Sequence, residues 1–321
     1  MVQNYFMDVS QLRTLRLLDD LGSLRAVAAA SYVSPSAVSQ HLTQLTREAG
    51  VPLTRKVGRG LVLTEAGRAL SAAARDVLVA IARAEAAVAE HDDALATPVS
   101  IALFHSVGPI LAGPLVGALA ASDGAPSVTV ADEDVAEGDF PALTSRYDLV
   151  VAHRVDYAPP WSGGVVSVEL LREPFDIALP ATHPLAARDS LDAADLAGET
   201  WVSSREGYSP ADVVAQVGAA AHGRVRVAHR VNDYATVASL VAGAGAVAAI
   251  PRFTAGSRLP DGVVLRPLRG APHVRLIEAL ARPETLERPA IRRVLDALHR
   301  LVAAELGPRG AEARPAGRTR E

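Results

Sequence analysis

At 321 residues the chain is long enough to build two or three separate cores. Its 49% hydrophobic content is broken everywhere by Arg, Asp, Glu, Gly and Pro, and no stretch approaches the roughly 20 apolar residues that span a bilayer. Cysteine is absent, which excludes disulfides, thiolate metal sites, cysteine nucleophiles and sensing by thiol oxidation. The net charge of −4 is uneven: residues 1–75 carry nine basic and five acidic side chains, or +4, which leaves −8 for the remainder. A basic head on an acidic body suits a local polyanion such as DNA. Residues 1–8 show no basic cluster followed by an apolar run, so no secretory leader is expected and the cytoplasm is the expected compartment.

In chain order, Gly22, Ser34-Pro35, Gly50-Val51-Pro52 and Gly58 divide the first sixty residues into three short helices and a hairpin. From Thr64, an expected N-cap, a proline-free run rich in Ala, Leu, Val, Arg and Glu continues to about Asp93 and predicts one long helix of roughly 45 Å. Leu70, Ala74, Val77, Ile81, Ala84, Val88, His91 and Leu95 follow the alternating four and three spacing of a coiled-coil seam. The spacing predicts pairing of two chains along this helix, which would hold the head well away from the rest; the competing reading is a helix lying on its own chain's core. Ala94 to Pro98 reads as a hinge.

Beyond the hinge, short β-branched runs alternate with helical patterns. Strands are expected at 99–104, 127–130, 148–152, 165–171, 175–179, 201–203, 225–231 and 263–265. Helices are expected at 110–121, 210–222, 234–242 and 288–306. Such alternation implies parallel sheets covered by helices, in total large enough for two lobes. The tail from Gly307, rich in Gly, Pro and Arg, is expected to be disordered.

The segment Leu24 to Gly50 carries the chemistry. An Ala-rich helix leads through Ser31-Tyr32-Val33 to Ser34, which can cap a second helix with Pro35 in its first turn. In that helix Val38, Leu42 and Leu45 point inward, while Ser36, Ser39, Gln40, Thr43, Gln44 and Arg47 form a face with no acid before Glu48. Hydroxyls, amides and Arg are the groups that meet phosphate oxygens and base edges in a major groove, where carboxylates would repel the backbone. The alanines at 28–30 let two helices approach closely, as a helix-turn-helix requires. Arg55-Lys56-Val57-Gly58-Arg59-Gly60 then places three cations at a glycine turn, one of them the only lysine of the chain, which suits a wing on the DNA backbone.

The order Leu12…Leu15…Gly22-Ser23-Leu24, Ala28-Ala29, Val33-Ser34, Ala37-Val38-Ser39, Leu42…Leu45, Gly50…Leu53…Arg55, Leu63-Thr64…Ala66-Gly67 resembles the LysR-type transcriptional regulators, specifically over about residues 7–95 and more loosely to about 305. Pro35-Ser36, Gln40, Thr46 and Thr54 depart from the family pattern and bear on base preference. The resemblance implies an α/β protein with three parts. They are a winged helix-turn-helix at 1–63, a dimerisation helix at 64–95, and a two-lobed, periplasmic-binding-protein-like effector domain at 98–306. Lobe I would span about 98–155 and 272–306 and lobe II about 162–266, with a tail at 307–321. The family usually begins just before the first helix, so Met7 is an alternative start. By resemblance Ser34, Ser36, Ser39, Gln40 and Thr43 are recognition contacts and Arg55 and Arg59 phosphate contacts, with Pro35 and Lys56 beside them. Leu179 to Ala186, Asp195 to Glu199 and Val241 to Pro251 look like second-lobe phrases of the family. Lobe crossings are expected near His153 to Pro160 and Leu265 to Val274.

Because ligands in open α/β sheets sit at the carboxyl ends of strands, Phe104, His105, Ser106, Ser203, Ser204 and Arg205 are effector-pocket candidates, with His153 and Arg154 at a third strand end. An anionic or carboxylate effector is the expectation if Arg154 or Arg205 lines the cleft. The implied partners are double-stranded DNA with an inverted repeat, a small-molecule effector, RNA polymerase and further copies of the chain as a dimer or tetramer. No cofactor, metal or catalytic residue is expected: the nine histidines lack ligand spacing, and Gly243 to Ala248 follows a helix where a dinucleotide loop would precede one. The alternative is a solute-binding module or enzyme on the two-lobed domain, with the head serving oligomerisation; it would not need an acid-free recognition face and basic wing.

Overall fold

The computed structural model describes residues 7–58, 60–89, 97–221, 223, 225–270 and 274–310. The head opens with α1 (Val9–Leu21), capped by the Asp8 carboxylate, which accepts from the Ser10 amide at 2.7 Å. Then come α2 (Leu24–Ala30), α3 (Pro35–Ala49), and the antiparallel wing strands β1 (Thr54–Val57) and β2 (Gly60–Leu63), paired from Thr54 opposite Leu63 to Val57 opposite Gly60. Leu12, Leu15, Leu18, Val27, Val38, Leu42, Leu45, Leu53 and Leu63 form its core. Each such side chain is worth about 1.5–3 kcal/mol when fully buried.

Thr64 caps α4 (Glu65–Ala89) as expected: its hydroxyl accepts from the Gly67 amide and donates to the Pro52 carbonyl. Gly67 sits so close to the wing that a Cβ there would stand 2.0 Å from the Leu53 carbonyl oxygen, so no other residue fits without moving the strand. The buried face of α4 is Gly67, Ser71, Ala74, Leu78 and Ala82, packed on the same chain. Ala74, expected in an interchain seam, therefore belongs to the head core. Leu70, half-buried, packs against the head core, Ile81 is half-buried, and Val77, Ala84 and Val88 are exposed, leaving an apolar stripe that flanks the buried face. His91, Leu95 and residues 94–96 of the expected hinge lie outside the described residues.

Lobe I begins with β3 (Val99–Leu103), α5 (Gly108–Ala120), β4 (Val128–Asp132), the single turn α6 (Phe140–Leu143) and β5 (Leu149–Val155), with β3 parallel to both β4 and β5. After a loop the chain returns as β6 (Val166–Pro180), a fifteen-residue strand where two separate strands were expected. Its first half pairs with β11 (Val274–Ala281) in lobe I and its second half with β9 (Val247–Pro251) and β10 (Val263–Pro267) in lobe II. The first crossing thus lies inside β6, where Pro174 faces β11 and Phe175 faces β9, later than the expected His153 to Pro160.

Lobe II holds β7 (Thr200–Ser203), α7 (Ser209–Ala220), β8 (Arg226–Arg230), α8 (Tyr234–Ala244), β9 (Val247–Pro251) and β10 (Val263–Pro267). One face of its sheet packs on α7 through Trp201, Val213 and Val217, the other on α8 through Val202, Val237 and Val241. The chain re-enters lobe I as β11 (Val274–Ala281), followed by α9 (Pro283–Leu286) and α10 (Pro289–Gly310). The last helix runs past Gly307, where disorder was expected, and residues 311–321 lie outside the described residues. The strand order is β4-β3-β5-β11-β6-β9-β7-β8, with β10 on β6.

Candidate DNA-binding face and effector cavity

Helix α3 presents its predicted face. Ser34 Oγ accepts from the Ala37 amide at 3.2 Å and sits 2.8 Å from Ser36 Oγ, and Pro35 occupies the first turn. With Val38, Leu42 and Leu45 turned inward, Ser34, Pro35, Ser36, Ser39, Gln40, Thr43 and Arg47 are exposed. A concavity of about 450 Å³ runs along this face, lined by Gln11, Ser39, Gln40, His41, Thr43, Gln44 and Arg47. Thr43 spends its hydroxyl hydrogen on the Ser39 carbonyl (2.8 Å), so it offers only acceptor lone pairs outward. His41 was not singled out from sequence. Thr14 donates to the Ser10 carbonyl, so its hydroxyl oxygen must accept from His41 Nδ1 at 3.0 Å, which leaves His41 Nε2 as an outward acceptor in the neutral ring. Arg55 and Lys56 are exposed on the wing; Arg59 lies outside the described residues.

Of the effector candidates, His105 and Ser106 line a cavity between the lobes, while Arg154 lines a separate concavity with Glu137 and Trp161. The cavity between the lobes measures about 160 Å³ and is completed by Pro109, Asp233, Tyr234, Ala235, Thr254, Ala255, Arg258 and Leu259. The His105 ring stacks on Tyr234 at 5.4 Å, with Nδ1 3.4 Å from Asp134. Beneath it Arg275 and Glu173, 1% and 0% exposed, form an ion pair at 2.8 Å. Glu173 also accepts from the amides of Phe253 and Thr254, so its charge is fully engaged. Arg275 donates to Ser106 Oγ at 3.1 Å and to Thr254 Oγ1. Because Arg275 occupies a lone pair of Ser106, the serine hydrogen remains to be donated to an acceptor in the cavity. Burial pushes the Tyr234 phenol up, so it stays protonated.

The remaining candidates sit elsewhere. Phe104 is core, packed edge-on against Phe140 and His153 with the Arg275 guanidinium over its ring. His153 is buried and desolvation, with Arg275 nearby, holds it well below the ordinary histidine range; its Nδ1 is 2.9 Å from Ser209 Oγ. Arg154 is paired with buried Glu278 at 2.8 Å and donates to the Ala158 carbonyl. Ser203 is buried, and Ser204 Oγ accepts from the Ala211 amide and donates to the Tyr208 carbonyl. Arg205 pairs with Asp134 at 3.0 Å across the lobes. The two arginines on which an anionic effector rested are both neutralised by carboxylates and neither lines the cavity. Sequence reasoning missed Asp233, Tyr234, Thr254 and Arg258, although the first two start a helix directly after a strand, the position the strand-end rule selects.

Two family models cover most of the chain: the bacterial regulatory helix-turn-helix protein, lysR family, over residues 9–68, and the LysR substrate binding domain over residues 92–303. The chain belongs to the LysR family. It is a DNA-binding transcriptional regulator with an effector-binding domain. A small neutral protease regulatory protein from Streptomyces coelicolor is 35% identical over 273 residues, 81% of this chain and 82% of its own. The DNA-binding transcriptional dual regulator OxyR of Escherichia coli is 24% identical over 91% of this chain and 95% of its own. Among solved structures, a full-length OxyR variant from Pseudomonas aeruginosa superposes with TM-score 0.66 at 20% identity, covering 98% of this chain and 99% of that one, a likeness of fold. A structure of CbnR complexed with its target DNA gives TM-score 0.51 at 20% identity over 92% and 99% of the two chains. Among the described residues of this LysR-family chain, no helix is long and apolar enough to cross a membrane.

Proposed function

We propose that this regulator reads an inverted-repeat operator with Ser34, Pro35, Ser36, Ser39, Gln40 and Thr43, and steadies itself on phosphates with Arg55, Lys56 and Arg59. The exposed, acid-free face of α3 beside the cationic wing carries this reading. His41, Gln44 and Arg47 line the same concavity and join the contact set. Two chains pair along Leu70, Val77, Ile81, Ala84 and Val88 of α4, and a tetramer and contact with RNA polymerase follow from the family. In that reading residues up to 63 form the DNA-binding unit, α4 and its continuation to 95 the dimerising linker, and 98–306 the effector domain, acting in the cytoplasm.

The effector enters the cavity between His105, Ser106, Tyr234 and Thr254 and carries an acceptor, a carbonyl or carboxylate oxygen, for the Ser106 hydroxyl. No reaction is assigned. Among the described residues, Ser209 lies beside a histidine and a carboxylate, but it is wholly buried and its hydroxyl sits between His153 and Glu137, so the imidazole is not the middle member a relay needs.

The test is genome-wide selection of fragments bound by the purified protein over a salt series, with Ser39→Ala and Arg55→Ala alongside. A shared inverted repeat is expected, with altered preference in Ser39→Ala and uniformly weaker binding with a shallower salt slope in Arg55→Ala. Binding without sequence preference overturns the reading.

A further inference from the structure

The cavity lined by His105 and Ser106 stands where an open α/β sheet ordinarily receives anions, at the end of a strand and the start of a helix. Here the amides that would hold an anion are already spent. In α5 the Gly108 amide donates to the Phe104 carbonyl, Pro109 has no N–H, and the Ile110 and Leu111 amides both donate to the Val107 carbonyl. In α8 the Asp233 carboxylate takes the Thr236 amide at 2.8 Å, the Thr236 hydroxyl and the Ala235 amide.

The charges around the cavity give an anion nothing in return. Arg275 is matched by Glu173, which is 0% exposed. At the rim the exposed Arg258 donates through Nη2 to the Pro109 carbonyl at 2.7 Å and faces the same space as Asp233, one charge of each sign. A further carboxylate, Asp134, stands 3.4 Å from His105 Nδ1. A carboxylate brought in from water would lose its hydration shell without meeting an unmatched cation.

What the cavity does offer is two hydroxyl hydrogens. Thr254 is not one of the donors, because its hydroxyl accepts from Arg275 and donates to Glu173 at 3.1 Å. Ser106 Oγ accepts from Arg275 at 3.1 Å, and the Tyr234 phenol oxygen is bonded by the same guanidinium. With a lone pair of each oxygen occupied, each hydrogen is left for another acceptor and is polarised by the cation behind it. Both oxygens sit on one guanidinium, so one acceptor atom suffices for the two hydrogens. The walls are otherwise apolar: the His105 ring stacks on Tyr234 at 24°, and Pro109, Ala255 and Leu259 close the space. Its volume of about 160 Å³ is near the roughly 150 Å³ that encloses one benzene ring.

We propose that this cavity selects a small uncharged carbonyl compound, whose oxygen accepts from both the Ser106 and the Tyr234 hydroxyls, and rejects the carboxylate of the same shape. The proposal rests on the reading of this cavity as the effector site and narrows it to one chemical class. Selection works by refusal as much as by attraction, since Asp233 occupies the helix amides that an anion would need.

The experiment measures binding of matched probes to the full chain by ligand-observed NMR at neutral pH, without DNA: benzamide against benzoate, and butyramide against butyrate. Each amide should bind about tenfold or more tightly than its carboxylate. Acetophenone, which has the carbonyl but no N–H, should bind like benzamide. Ser106→Ala and Tyr234→Phe should each weaken benzamide about fivefold, the effect of losing one hydrogen bond to the ligand. Tyr234→Phe keeps the ring and its stack, so it decides the matter if Ser106→Ala does not fold. A carboxylate bound as tightly as its amide, and weakened by either substitution, overturns the chemical class while leaving the cavity as the effector site. Amide binding indifferent to both substitutions, or no binding by any probe, overturns the proposal together with the reading of the cavity on which it rests.

Discussion

At the scale of single residues, the turn of the helix-turn-helix carries a local cost. Tyr32 is the one non-glycine residue among those described with a left-handed backbone, φ +54°, and its side chain is 94% exposed. An L-residue there pays roughly 1 kcal/mol that Asn largely avoids by bonding its own backbone. Tyr32→Asn should therefore raise stability by about 0.5–1 kcal/mol with no change in recognition, measured as a higher melting temperature and unchanged operator affinity. A second residue, Glu137, sits where the lobes meet. Burial, and then the charge of Asp212, push its carboxyl up to about 7, against a favourable bond from Ser209. A raised carboxyl pKa means the folded chain holds the proton more tightly. Its contribution is then fully present below the unfolded value near 4.5 and is lost as pH rises to about 7. Removing that titration with Glu137→Gln should flatten the stability profile over this window, a relative gain on the order of 2–3 kcal/mol above pH 7 in denaturant titrations. Parallel profiles for both proteins would refute it.

Among the elements, α4 is where sequence and structure divide most usefully. A heptad count finds apolar residues but cannot say which of two faces meets the chain's own core. Here Ala74 goes to the head, while Val77, 42% exposed, and Val88, 71% exposed, stay outside. Val77→Glu with Val88→Glu should weaken dimerisation at least tenfold in sedimentation equilibrium, since each buried valine is worth about 1.5 kcal/mol or more, while leaving the melting of the monomer within experimental scatter. An undiminished dimer would move the interface elsewhere.

The helix-turn-helix was legible because its caps, inward triplet and acid-free face are all local signals. Strand β11 was not: Val274–Ala281 is buried throughout and contains Arg275 and Glu278, so it shows neither alternation nor an apolar run. Those charges are tolerated only because Glu173 and Arg154, more than a hundred residues earlier, meet them, a pairing no local pattern reveals. The same holds for the cavity. His105 and Ser106 were found from the end of β3, whereas Phe104 and His153 turned inward into one aromatic cluster. Thr254 joined the site through its tie to Arg275.

At the scale of the whole molecule, contacts between the two lobes converge on Asp134. Its side chain accepts from Arg205 and Asn232, its carbonyl accepts from Tyr208, and nearby the Glu137 amide donates to the Gly207 carbonyl at 2.8 Å. A Cβ placed on Gly207 would lie 3.2 Å from that of Ala136, close to the roughly 3.5–4.5 Å a disulfide requires. In a chain without cysteine, Ala136→Cys with Gly207→Cys therefore makes a single staple across the lobes. The backbone of Gly207, φ +83°, charges some strain against it. Constraining a loop of this length is worth about 4 kcal/mol in the chain-entropy view, so a net gain should survive the strain. The oxidised protein should melt higher than the reduced one, by several degrees. If lobe separation is what the regulator transmits, reduction should also change operator affinity about fivefold or more, the usual lower range of a coupling between sites. A staple that raises the melting temperature yet leaves operator affinity untouched would mean that the lobes close without consequence for the heads, and the signal would have to pass through another interface.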